Sequence, residues 1–140
     1  MEGIRSASLL LLLTILSGCS RKSSADELTQ ELQTVKSWAA TAHLVGDTWI
    51  RGDVPTAYAK RTLSTTQKEL QNELNKLSQE APPQSRATLV AQLQRLQSTV
   101  KQMSKAVEQK NAMAMQQQIQ QLSAQEQSIS TLAKTAGVQP

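Results

Sequence analysis

The chain has 140 residues, and 15 Lys and Arg against 11 Asp and Glu leave a formal charge of only +4 at pH 7. Aromatic residues make up 2%, and there is one Cys and one His. These counts exclude an internal disulfide, zinc sites built from several Cys or His, and the stacking platforms of single-strand nucleic-acid binders.

Arg5 is followed by an apolar run from Leu9 to Leu16, and then by Ser17 and Gly18 ahead of Cys19. A cationic start, a short apolar core and small residues form the pattern of a secretory signal, so residues 1–18 are expected to be excised. The run is shorter than the roughly 20 residues that span a bilayer. Leu16, Ser17, Gly18 and Cys19 resemble the lipobox of bacterial lipoproteins. The resemblance implies that Cys19 becomes the lipid-modified N-terminus, with no cofactor beyond that covalent lipid. With about 0.8 kcal/mol for each buried CH₂, two or three acyl chains hold a protein on a membrane. Ser20 follows the cysteine where lipoproteins kept in the inner membrane often have Asp. This implies the bacterial cell envelope, and the outer membrane facing the periplasm in a Gram-negative host.

Residues 19–25 read as the lipidated N-terminus and a polar, flexible tether. A helical domain over 26–136 and a short tail over 137–140 follow, and one domain suits the length. Ser24 and Glu27 stand in capping-box spacing. The first helix, about 25–51, carries Leu28, Leu32, Val35, Ala39, Ala42, Gly46 and Trp49 on one face, and Gly52 ends it. Asp53, Val54 and Pro55 are expected to supply a cap and a proline near the start of a second helix, about 54–80. Its seam is Ala59, Leu63, Leu70, Leu74 and Leu77, with Thr66 in the gap, and Pro82 and Pro83 stop it. Glu69 and Glu73 look like solvated positions beside Lys68 and Lys76.

The third helix, about 84–109, has a heptad stripe of Leu89, Leu93, Leu96, Val100, Met103 and Val107. Asn111 suits a cap before a fourth helix, about 112–135, with Ala112, Met115, Ile119, Leu122, Ile129 and Ala133 inward. One long helix over 84–136 is the alternative at that point. Matched lengths and short connections predict an all-α fold, an antiparallel up-down four-helix bundle or two long helical hairpins, after the cleaved signal peptide.

Trp38, Trp49, Tyr58 and the lone His43 form a candidate ligand pocket, against the plainer reading that the aromatics fill the core. No nucleophile elbow, metal-ligand cluster or haem-attachment motif accompanies them, so no catalytic residue and no metal are assigned. The charge excess falls in the second half: residues 81–140 hold six basic residues and only Glu108 and Glu126. These features point to a non-enzymatic, membrane-anchored interaction module whose partner is an envelope protein or a cell-wall component, not nucleic acid. A small-ligand or haem-binding bundle is the alternative. The sequence leaves the oligomeric state open.

Overall fold

A computed structural model of the chain describes residues 24–136. The expected signal peptide, Cys19, the expected tether before Ser24, the expected capping side chain of Ser24 and the tail after Ala136 lie outside the described residues. Four helices follow in order: α1 (Ser24–Ile50), α2 (Thr56–Glu80), α3 (Pro83–Glu108) and α4 (Ala112–Ala136). Among the described residues all regular structure is helical, and no helix is long and apolar enough to cross a membrane.

The helices pack as an up-down-up-down bundle. Side-by-side pairs are α1/α2, α2/α3, α3/α4 and α4/α1, and across the diagonals only α1 and α3 approach each other. The alternation of four- and three-residue steps along each helix explains the arrangement. α1 buries Leu28, Leu32, Val35, Ala39, Ala42 and Gly46, and α3 buries Leu89, Leu93, Leu96, Val100, Met103 and Val107. This step averages 3.5 residues and keeps one stripe on the bundle axis. Val45, Thr99 and Ala106 are buried beside those stripes, because a helix with two neighbours buries more than a single seam.

Two core slots depart from the expected stripes. On α2 the regular step runs Ala59, Leu63, Thr66, Leu70, Glu73 and Leu77, all buried, whereas Leu74 is half-buried at the flank. Glu73 is therefore a core residue and not a solvated one, because strict heptad phase places position 73, not 74, on the axis. On α4 the slot between Leu122 and Ile129 belongs to Glu126, and Ala112 is exposed at the helix start. Thr66 satisfies its hydroxyl by donating to the Thr62 carbonyl at 3.0 Å.

The turns follow local chemistry. After α1, Gly52 takes φ 79°, its N–H donates to the Trp49 carbonyl and the Asp53 N–H to the Thr48 carbonyl. After α3, Lys110 takes φ 51° and the same pair of bonds recurs, Lys110 N–H to Val107 and Asn111 N–H to Ala106. Both are left-handed helix stops of the Schellman type. Asn111 then caps α4 by accepting the Ala114 N–H at 2.9 Å, which breaks the chain into two helices where one long helix was the alternative. Asp53 does not cap α2: its carboxylate takes the Arg51 Nε at 2.9 Å, Pro55 is the N-cap residue and the helix begins at Thr56. Between α2 and α3, the Arg86 guanidinium donates to the Ala81 carbonyl at 3.0 and 2.7 Å and fastens the proline turn.

The two left-handed stops make opposite predictions. A Cβ at Gly52 meets nothing within 4 Å, so Gly52→Ala is expected to cost about 1 kcal/mol through backbone strain alone. Lys110→Gly relieves the same strain and is expected to stabilise by a similar or smaller amount. Urea unfolding of the two variants checks both signs.

Candidate functional site on the α2/α3 face

The four residues singled out as a pocket are placed by α1 and the start of α2. Trp38 and Trp49 are half-buried against the core, and the Trp49 Nε1 donates to the Thr56 hydroxyl at 3.2 Å. They are eleven residues apart, about 16 Å along the helix axis, too far for one indole to stack on the other. His43 lies five residues beyond Trp38, a rotation of about 140° around the helix. Its Nδ1 is accordingly 3.3 Å from the Glu126 Oε2 of α4, on the flank of α1 away from α2. Tyr58 is 56% exposed. The bundle thus distributes these side chains over two flanks of α1 and the surface of α2.

A polar cluster that the sequence did not single out bridges α1 and α2. Glu73 is 5% exposed, and its carboxyl group shares a hydrogen bond with that of Glu31. Lys76 donates to both Glu31 oxygens at 3.3 Å and lies 3.6 Å from the Glu73 Oε1, while the Glu73 Oε2 is buried without a partner. Burial and the neighbouring Glu31 push the Glu73 carboxyl up to about 7, because both disfavour a second negative charge. Glu31 moves the opposite way: the bond from Glu73 and the Lys76 ammonium hold it below the usual carboxylate range. Among the described residues no group of three or more His, Cys, Asp or Glu is arranged to take a metal ion.

A shallow, open depression runs along the outside of α2 and α3. One stretch of about 590 Å³ lies among Lys60, Arg61, Ser64 and Gln67 of α2 and Ser104 and Glu108 of α3. A second, of about 410 Å³, adjoins it at Gln67 and continues past Gln94, Gln97, Ser98 and Lys101. Its floor is hydrogen-bonded amide and hydroxyl: the Gln67 Nε2 donates to Ser104 at 2.8 Å and the Gln97 Nε2 to the Gln71 Oε1 at 3.1 Å. Neither stretch has an aromatic residue in its wall.

Charge follows the same division. α2 and α3 together carry eight Lys and Arg against four Glu, whereas α1 and α4 carry two Lys against five Asp and Glu. The basic surplus noted in the second half of the sequence is therefore an α3 property, since α4 carries one Glu and one Lys. Residues Arg61, Ser64 and Lys68 on α2, and Ser98, Lys101 and Lys105 on α3, recur at three- and four-residue steps, which aligns them along the groove. Glutamine spacing on α2 and α3 was the available signal for this surface. It was hidden because Gln is abundant throughout the chain.

Comparison with protein-family models, with curated proteins and with solved structures finds no match.

Proposed function

We propose that this protein is a lipid-anchored bundle of the bacterial cell envelope that works by contact with another envelope component and not by catalysis. The observation that carries the reading is the position of Cys19, in lipobox sequence, five residues ahead of a bundle whose core is built from apolar stripes. Such a core leaves its chemistry on the outside. Among the described residues the buried polar ones are Thr66, Glu73 and Thr99, a set with no nucleophile and base in the paired geometry that catalysis by a side chain needs. Anchoring through Cys19 puts the start of α1, the α2/α3 turn and the end of α4 near the membrane. The two left-handed turns, at Gly52 and Lys110, then face away from it.

Metabolic labelling with a radioactive fatty acid tests this. The wild-type protein is expected to take up label and to sediment with membranes. Cys19→Ala is expected to lose all label, to accumulate as the uncleaved precursor and to leave the helical circular-dichroism signal unchanged. An unlabelled wild-type protein sinks the proposal.

A further inference from the structure

The α2/α3 groove has the chemistry of a site for a linear anionic polysaccharide, and we infer that such a strand is its ligand. The inference rests on the reading above only in taking the bundle to act by contact. Three observations lead to it. The groove floor is made of side-chain amides and hydroxyls, which both donate and accept hydrogen bonds as sugar hydroxyls do. Its walls present Lys60, Arg61 and Lys101, with Lys68 and Lys105 in register on the same face, against the single carboxylate of Glu108. Those cations match carboxylate or phosphate groups repeated along a chain.

The shape is the third. The two stretches join at Gln67 and follow the helix axis, so the surface receives an extended strand lengthwise. From Ala57 to Gln67 the α2 wall is about 15 Å long. Other polymers fit it less well. A peptide partner needs an apolar or aromatic anchor pocket, and no large apolar or aromatic side chain lines these walls. A nucleic acid needs aromatic side chains on which to stack, and neither stretch of the groove has one in its lining. The complementary sign of the opposite half matters too: the acidic surplus of α1 and α4 orients an anionic strand toward α2 and α3.

The detergent-solubilised mature protein is titrated with polygalacturonate oligomers, with uncharged dextran and with mixed micelles containing phosphatidylglycerol. Polygalacturonate is expected to bind saturably, and dextran not to bind. Binding should weaken as ionic strength rises from about 0.05 to about 0.5 M, because exposed charges are screened. The triple variant Lys60→Ala, Arg61→Ala, Lys101→Ala is expected to lose about tenfold or more in affinity. Lys36→Ala with Lys134→Ala, on α1 and α4, is the matched control and should change it little. Lys60, Arg61, Lys101 and Lys134 are exposed and Lys36 is half-buried, and unchanged unfolding transitions verify intact folds.

Absence of saturable polygalacturonate binding overturns the inference, as does an equal loss in both variants. Micelle binding that the triple variant abolishes, without polygalacturonate binding, also overturns it and assigns the face to anionic lipid. Fatty-acid labelling of Cys19 is independent of Lys60, Arg61 and Lys101. Failure of the titration therefore leaves the anchored bundle standing, and failure of labelling leaves the binding result standing.

Discussion

Gly46→Leu is expected to destabilise the bundle by about 3 kcal/mol or more, while Gly46→Ala stays within about 1 kcal/mol of wild type. A Cβ on Gly46 comes 2.8 Å from the Met103 Cε, 3.1 Å from the Met115 Sδ and 3.2 Å from the Ile119 Cδ1. These atoms end flexible side chains, so a single methyl group is accommodated by small rotations. The gain in helix propensity on leaving glycine, about 1 kcal/mol, offsets that adjustment. Leucine adds three further carbons to volume that Met103 of α3 already fills across the diagonal. Met103→Ala alone opens a cavity and costs about 2 to 4 kcal/mol. Combined with Gly46→Leu it removes the clash, so the double variant should be clearly more stable than the sum of the single losses predicts. Additive losses in urea unfolding would show that Gly46 and Met103 do not share this space.

Glu73→Gln is expected to remove a loss of stability that the wild-type protein suffers as pH rises from about 4.5 to about 7. The Glu73 carboxyl lies at about 7 in the folded chain and near 4.5 in the unfolded one. Between those two values the folded state holds a proton that the unfolded state has released, so protonation favours folding. Stability therefore falls as pH rises across that window and levels off above about 7, where the proton has left and two carboxylates face each other across α1 and α2. Glu31 has the opposite sign: its lowered value contributes stability that is lost as pH falls through its folded titration. Wild-type stability should therefore peak in mildly acidic solution and drop by about 2 to 3 kcal/mol toward pH 8.5. Glutamine keeps the shape and donates to Glu31 as the protonated acid did. Urea unfolding at about pH 5.5 and about pH 8.5 should then give nearly equal values for the variant. An equally steep decline in wild type and variant would place the titrating group elsewhere.

The two experiments probe slots that depart from apolar packing, and these slots show how far the sequence is legible. Heptad steps disclose α1 and α3 almost residue by residue, because burial along one helix depends only on its own phase. Gly52, and Pro82 with Pro83, disclose their breaks, because each acts on its own backbone. Leu74 misleads for a physical reason. An apolar residue four positions after Leu70 looks like the next rung, yet the unbroken step selects Glu73, whose cost of burial is met by Glu31 and Lys76 from across the interface. Periodicity reveals which face is inward, but not which charges meet there.

His43 and Glu126 are 83 residues apart and meet only because α4 packs beside α1. Trp38 and His43 are close in sequence yet face different neighbours, since five residues turn a helix through about 140°. The α2/α3 groove is of the same kind: its floor joins Gln67 to Ser104 and Gln97 to Gln71 across two antiparallel helices. The sequence by itself determined an all-helical chain, most of its inward stripes and the breaks at Gly52 and at Pro82 with Pro83, since helix phase and turn geometry are local. Only the structure decided that residues 84–136 form two helices, which flanks face each other, and with them the carboxyl pair of Glu31 and Glu73, the dispersal of the aromatic residues and the cationic groove. Those depend on the rotation and register of one helix against another, which no single helix encodes.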